Sequence, residues 1–383
     1  MKVLLSGGGT GGHITPILAL AQELKRLEPD CSTIYVGERQ GKFLHLTSNS
    51  KVIDENFTVF AGKFRRYHGE SWLRRLFDIK TNFKNFRDGI YLIIGFIQSV
   101  HLLGKIKPDV VFLKGGYVGV PIGLAAALRH IPIVTHDSDA VPGLANRVVS
   151  RWVQVHATAL PTEYYSYPPE KVQEIGVLVE SNYQPVDEVK QRAFKQQLGV
   201  PTDTPLLLIT GGSSGAERLN KAIVAGVDQL LQKLPTLRVI HQVGRGKSSV
   251  YKDYHHDRLI VVEFMKPMHV YSGAADLIVT RAGANSLAEF GVQGKACIVI
   301  PNPDLTGGHQ TKNAARLKEQ GSAEVVQEDQ LYDLQHGLMP KIEKLIHDEN
   351  MRNRLGRKLQ TNTASDAALK LATIILNQAK NKR

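Results

Sequence analysis

Twice along this chain an apolar run ends in a glycine-rich turn that reads as the entry to a helix. Val3-Leu4-Leu5 leads into Ser6-Gly7-Gly8-Gly9-Thr10-Gly11-Gly12-His13, and Leu206-Leu207-Leu208-Ile209 leads into Thr210-Gly211-Gly212-Ser213-Ser214-Gly215-Ala216. A strand, a tight turn and a helix N-terminus let backbone amides approach an anion, which the helix dipole favours. One such turn is weak evidence. One in each half of the chain predicts a pair of nucleotide-binding-type domains facing one cleft.

The pattern between the turns agrees. Short apolar runs alternate with stretches of helical spacing, and strands are expected at 2–5, 33–36, 110–113, 131–135 and 153–157 in the first half. In the second half they are expected at 206–210, 239–243, 259–264, 277–280 and 297–300. Such alternation predicts parallel, doubly wound α/β sheets covered on both faces. Ligands of such sheets sit beyond the carboxyl ends of the strands. At 383 residues the chain is long for one core, so two domains are expected. Periodicity lapses near 176–185, which places the link there. The apolar stretch 90–104 is interrupted by Gln98, Ser99 and His101 and reads as a buried helix leading into the next strand.

The net charge of +12 points to an anionic partner: a phosphorylated substrate, a phospholipid surface or nucleic acid. Cys31 and Cys297 are the only cysteines, and both lie beside expected strands, so buried thiols are expected rather than a disulfide. Only three apolar residues separate Lys2 from Ser6, so no signal peptide and a cytoplasmic setting are expected.

Gly7, Gly9 and Gly12 satisfy a G-x-G-x-x-G pattern, and Glu38 ends the next strand as a ribose-binding acid would. That admits an NAD-dependent oxidoreductase. His13 argues otherwise. Beside a helix N-terminus, with Thr15-Pro16 read as N-cap and first turn, it would stay neutral near pH 7 and accept a proton from a hydroxyl.

Further segments narrow the reading. They are Gly115-Gly116-Tyr117-Val118-Gly119-Val120-Pro121, then His136-Asp137-Ser138-Asp139-Ala140-Val141-Pro142-Gly143-Leu144-Ala145-Asn146-Arg147. Asn220 follows the second glycine turn, before Arg281-Ala282-Gly283-Ala284-Asn285-Ser286-Leu287-Ala288-Glu289 and Gly308-His309-Gln310-Thr311. In this order and spacing the chain resembles the MurG family of peptidoglycan glycosyltransferases over nearly its whole length. Those enzymes add N-acetylglucosamine from UDP-N-acetylglucosamine to lipid I, the muramyl-pentapeptide on undecaprenyl diphosphate.

The resemblance implies a GT-B fold of two Rossmann-like domains: 1–178, joined by the C-terminal helix 362–383, and 179–361. It implies donor nucleotide in the second domain and lipid acceptor against the first. His13 is then the expected general base, with Asp137 second. Thr10, Gly11, Gly12, Ser213, Ser214, Gly215, Met265, Ala284, Ser286, Glu289, His309 and Gln310 are the expected donor-binding residues. Gly9, Tyr117, Asp139 and Asn220 are expected at the acceptor side of the cleft. No cofactor is expected, since the UDP-sugar is a substrate. Asp137-Ser138-Asp139 spells a metal-binding Asp-x-Asp, but so short a motif matches often by chance, and no metal site is assigned.

Three departures from the family pattern stand out. His136-Asp137-Ser138-Asp139 replaces His-Glu-x-Asn, and Gly176-Val177-Leu178-Val179-Glu180 replaces Gly-Asn-Pro-Val-Arg. Gly307-Gly308 stands where an acidic residue often precedes His-Gln. Glu180 is expected to weaken donor binding, and a related GT-B transferase with another sugar or lipid acceptor is the alternative. A non-catalytic scaffold is a third possibility, against which the retained His13, Glu289 and Gln310 argue.

Residues 61–90 interleave basic and aromatic side chains. Phe64, Arg65, Trp72, Arg75, Leu76 and Phe83 are the expected membrane-contacting residues, on a helix face continued by Ile79, Phe86 and Ile90. The expected location is the cytoplasmic face of the membrane, as a peripheral protein. Other cell-wall synthesis proteins are further expected partners. Nucleic acid is not, for no reader motif occurs.

Overall fold

The computed structural model describes residues 1–8, 11–41, 44–63, 78–212, 215–252 and 254–381. The expected site residues Gly9, Thr10, Ser213 and Ser214, and the expected membrane residues Phe64, Arg65, Trp72, Arg75 and Leu76, lie outside them. The chain divides into two compact units, Met1–Glu180 with Asp366–Arg383, and Ser181–Ser365.

In the first unit a 7-stranded parallel sheet is built from β1 (Lys2–Ser6), β2 (Ser32–Glu38), β3 (Glu55–Val59), β4 (Val110–Leu113), β5 (Ile133–Asp137), β6 (Val155–Thr158) and β7 (Val172–Glu174). Their spatial order is β3-β2-β1-β4-β5-β6-β7. Val3, Leu4, Leu5, Val110, Val111 and Phe112 are fully buried. Both faces are covered, as an all-parallel sheet requires. The connecting helices are α1 (Gly11–Leu27), α2 (Leu44–Ser48), α3 (Ile79–Ile106), α4 (Gly119–Leu128) and α5 (Leu144–Val149). The C-terminal helix (Ala367–Asn381) packs on α1.

The second unit repeats the design with β8 (Leu206–Thr210), β9 (Arg238–Gln242), β10 (Leu259–Val262), β11 (Leu277–Arg281), β12 (Cys297–Ile300) and β13 (Glu324–Val325), in the order β10-β9-β8-β11-β12-β13. Its helices are α6 (Glu188–Gln197), α7 (Glu217–Lys233), α8 (Met268–Ala274), α9 (Ala284–Val292), α10 (His309–Glu319), α11 (Leu338–His347) and α12 (Glu349–Thr361). In both units the strand order reverses, between β1 and β4 and between β8 and β11. A crevice opens at the carboxyl ends where such a reversal occurs.

Two local expectations are corrected. Thr15 does not cap a helix: α1 begins at Gly11, so Pro16 lies inside it and His13 falls in its first turn. The apolar stretch 90–104 is not a buried helix. It belongs to α3, whose outer face leaves Phe83 69%, Phe86 70%, Ile93 62% and Ile97 63% exposed. Helix α3 is long and apolar enough to cross a membrane by length and composition. However, it joins β3 to β4 of one sheet and packs along α4, so crossing would pull that sheet apart.

Candidate active site

The strand-order reversal of the first unit brings two glycine turns together. The Tyr35 hydroxyl donates to the Gly7 carbonyl at 2.6 Å. A Cβ on Gly116, whose φ is +84°, would lie 2.3 Å from the Gly8 carbonyl oxygen. Only glycine lets these backbones touch. His13 stands over the junction, partly buried. Its ring hydrogen-bonds the Gly8 backbone, and its pKa is lowered to about 4. Burial is the largest cause and the Lys114 charge the second, while the Gly8 bond and Asp139 act the other way. The imidazole is therefore neutral at pH 7. A neutral ring that donates through one nitrogen keeps a lone pair on the other.

Lys114, the residue after β4, was not singled out from the sequence. It is 4% exposed, and its ammonium donates to Ser138 Oγ at 2.8 Å. Burial lowers its pKa to about 8, against the pull of Asp137 and Asp139. A lysine that closes an apolar strand run directly before a glycine turn was the available signal. Beside it, a Cβ on Gly115 would lie 3.8 Å from His13 Nε2 and 4.0 Å from Asn146 Nδ2. His13, Lys114, Ser138 and Asn146 thus share one end of the sheet. Tyr117 and Asp139, both partly buried, lie in the adjoining turns.

Asp137 does different work from that expected of a base. Its Oδ1 accepts from the Gly143 amide at 2.8 Å and from Asn146 Nδ2 at 3.0 Å, and its Oδ2 accepts from the Tyr167 hydroxyl at 2.9 Å. Both oxygens are engaged by protein donors, so the carboxylate pins the 138–143 turn. For the same reason Asp137-Ser138-Asp139 does not offer a cation two open carboxylates. Neighbouring His136 is fully buried, and its Nε2 bonds the Gly176 carbonyl at 2.9 Å. That contact ties β5 to the end of the unit.

In the second unit the glycine turn closes tightly after β8. A Cβ on Gly215, at φ +67°, would lie 2.0 Å from the Val243 carbonyl oxygen. Thr210 Oγ1 accepts from the Gly212 amide at 3.1 Å. Asn220 is corrected: it is 2% exposed and does not line a cleft. Its Nδ2 donates to the Val243 carbonyl at 2.8 Å, and its Oδ1 meets His241 Nε2 at 3.2 Å. The Met265 side chain is likewise in the core, so only its backbone is available to a base. Ala284 and Ser286 occupy the first turn of α9, which has no side-chain cap, and Glu289 follows half-buried on the same helix.

Gln310 is also more constrained than expected. Its Oε1 accepts from the Asn302 amide at 3.0 Å, so the side chain anchors the 302–308 loop, and only its amide donors suit a sugar hydroxyl. His309 opens α10 beside it, half-buried. Arg281 is a strut: buried at the end of β11, its guanidinium meets Glu328, which also holds Arg218. Arg218 in turn pairs with Asp304 at 2.8 Å. These partners are too distant in sequence to be read from a local motif.

The Glycosyltransferase family 28 N-terminal domain pattern matches residues 3–158, and the family's C-terminal domain pattern matches 206–371. The UDP-N-acetylglucosamine--N-acetylmuramyl-(pentapeptide) pyrophosphoryl-undecaprenol N-acetylglucosamine transferase of Limosilactobacillus reuteri is 33% identical, over 98% of this chain and 98% of that protein. The chain belongs to glycosyltransferase family 28. The protein of the same name from Acetivibrio thermocellus is 30% identical over 100% of this chain and 99% of its own. A crystal structure of Acinetobacter baumannii MurG superposes with a TM-score of 0.70 at 24% identity, covering 98% of this chain and 99% of that one. That likeness places the fold in the GT-B class. As a member of that family the chain is a glycosyltransferase.

Two departures from the family 28 pattern now have a structural setting. Gly307 and Gly308 have φ of 77° and 61°, left-handed values that favour glycine over an acid. Glu180 is half-buried, and burial pushes its carboxyl above the usual range.

Proposed function

We propose that this chain moves N-acetylglucosamine from UDP-N-acetylglucosamine to the 4-hydroxyl of the muramyl-pentapeptide on undecaprenyl diphosphate, with inversion, in peptidoglycan synthesis. The observation that carries this reading is His13 in the first turn of α1 at the strand-order reversal, in a chain that a family 28 relative matches over 98% of its residues. His13 takes the hydroxyl proton as the oxygen attacks the anomeric carbon, and UDP leaves with the electron pair of the broken bond. In the second unit, the start of α7, which no side chain caps, suits the donor diphosphate. The uncapped start of α9 and the Glu289 carboxylate suit donor oxygens and hydroxyls. The test is direct. Purified enzyme with lipid I and a radiolabelled UDP-sugar should give lipid II from UDP-N-acetylglucosamine; transfer only from another UDP-sugar would overturn the donor assignment.

The bare face of α3 supports a peripheral seat on the cytoplasmic membrane surface. Phe83, Phe86, Ile90, Ile93 and Ile97 lie along it. A groove of about 610 Å³ beside them is lined by Leu92, Phe96, Leu124, Leu128 and Trp152 among others. Arg151 stacks over the Trp152 ring at 5.1 Å, an aromatic and basic pairing suited to anionic headgroups. Each inserted phenylalanine contributes about 1.5–3 kcal/mol. Phe83→Glu with Phe86→Glu should therefore lower sedimentation with phosphatidylglycerol vesicles by at least about tenfold. Equal sedimentation of the double variant and wild type would remove α3 from the contact.

A further inference from the structure

Strand β11 of the second unit has a charge cluster at each end. Just before it, Asp276 accepts from the Lys195 ammonium at 2.8 Å, the Leu206 amide at 2.7 Å and the Gln191 side chain at 2.9 Å. Leu206 begins β8, so this cluster lies at the amino ends of the strands, away from the crevice. The other cluster lies at the carboxyl end, where the strand order reverses. There Arg281 meets Glu328, whose side chain is 6% exposed. Glu328 follows β13 at the sheet edge, so the pair spans β12, and the guanidinium also reaches the Ile300 carbonyl at 3.4 Å.

The two oxygens of Glu328 have separate partners. Oε1 accepts from Arg281, and Oε2 accepts from Arg218. Arg218 lies in the first turn of α7, and it also pairs with Asp304 at 2.8 Å. Asp304 belongs to the 302–308 loop, which leads directly into His309 and Gln310. That loop is therefore held at two points: Gln310 holds the Asn302 amide, and Arg218 holds Asp304. Glu328 is the one buried acid that joins the β11 end, the α7 start and this loop.

We propose that Glu328 is a positioning residue for the donor: anchored on Arg281, it orients Arg218, and Arg218 ties the 302–308 loop to the start of α7. The inference rests on the reading of α7's start, His309 and Gln310 as donor contacts. A loop that loses its tether spends part of its time elsewhere, and binding must first restore it. Donor Kd then rises by the inverse of the fraction of molecules with the loop in place. Once the donor is bound the loop is in place again, so kcat is kept.

Glu328→Gln in the full-length enzyme tests this. Glutamine has one oxygen where glutamate has two, so it accepts from one arginine and turns an N–H donor toward the other. Arg281 is buried and keeps the oxygen, whereas Arg218 is exposed and turns to water. The Kd of UDP-N-acetylglucosamine, read by calorimetry, should rise about fivefold, with kcat and the lipid I KM within about twofold. Arg218→Ala should give the same rise, and adding Glu328→Gln to it should raise Kd no further, since both break one chain of contacts. Asp304→Asn, on an exposed side chain, breaks the last link and should also raise Kd, which separates a tether from an Arg218 that touches the donor itself. Asp276→Asn loosens the opposite end of β11, and should lower Tm while leaving Kd within about twofold. An unchanged Kd in Glu328→Gln, Arg218→Ala or Asp304→Asn overturns the inference. So do additive effects of Glu328→Gln and Arg218→Ala, or an equal rise in Asp276→Asn. If Glu328→Gln does not fold, the Arg218→Ala and Asp304→Asn results still decide. Wild-type enzyme that binds no UDP-N-acetylglucosamine would instead overturn the functional reading itself.

Discussion

His13→Ala is expected to transfer N-acetylglucosamine about a thousandfold more slowly than wild type, with KM for the UDP-sugar within about twofold. The argument begins in the backbone. A Cβ on Gly7 would lie 2.9 Å from Ile17 Cδ1 and one on Gly8 3.1 Å from Val118 Cγ1, so side chains there would be crowded, and His13 falls in the first turn of α1. Burial and the Lys114 charge hold the ring near pKa 4, so it is neutral over the physiological range. The sign of the pH dependence follows. Protonation removes the lone pair that takes the hydroxyl proton, so kcat/KM should fall as pH drops through about 4, far below the usual histidine value of 6.5. Activity of His13→Ala within tenfold of wild type would mean that the base lies elsewhere.

Much of this fold was legible because its central strands are buried on both faces. The strands at 110–113, 206–210 and 297–300 were expected with the bounds they have, since an unbroken apolar run in a parallel sheet leaves little else to choose. The strands missed are β3, β7 and β13, all at sheet edges. Their sequences, Glu55-Asn56-Phe57-Thr58-Val59, Val172-Gln173-Glu174 and Glu324-Val325, carry little apolar signal because one side of an edge strand meets solvent. Composition misled along 90–104. Hydrophobicity reports a preference to leave water, not what provides the cover, and α3 leaves its outer face uncovered.

The site was legible where backbone chemistry dictates the residue. The glycine turns and His13 could be found that way, because each needs a particular geometry that few residues allow. Residues whose role depends on distant partners could not. Asn220 looks like a polar side chain early on a helix after a phosphate-type turn, yet it is drawn inward by His241 and the Val243 carbonyl. Lys114 looks like an ordinary strand-end lysine until the fold places Ser138, Asp139 and His13 around it. The same blindness affected Asp137, whose neighbours Tyr167 and Asn146 lie on other elements.

Asp137 therefore gives the second large effect, and it is one of stability. Asp137→Ala removes the acceptor of the Gly143 amide, the Asn146 amide and the Tyr167 hydroxyl at once. Leaving buried donors unsatisfied costs about 1–3 kcal/mol each, reduced where the emptied space admits water. A net loss of about 3–5 kcal/mol is expected, which for a unit of this size lowers its Tm by roughly 6–20 °C. Asp137→Asn is the informative partner. Its Oδ1 can still accept from Gly143 and Asn146, while its Nδ2 can donate to the Tyr167 hydroxyl, which accepts as readily as it donates. The asparagine variant should keep most of its stability and a kcat within about tenfold of wild type. If Asp137 were the base, the outcome would reverse: Asp137→Asn would fold normally and lose about a thousandfold in kcat, because an amide cannot take the proton. Measuring Tm and kcat on the two variants together thus decides between a carboxylate that builds the turn carrying Ser138 and Asp139 and one that reacts within it.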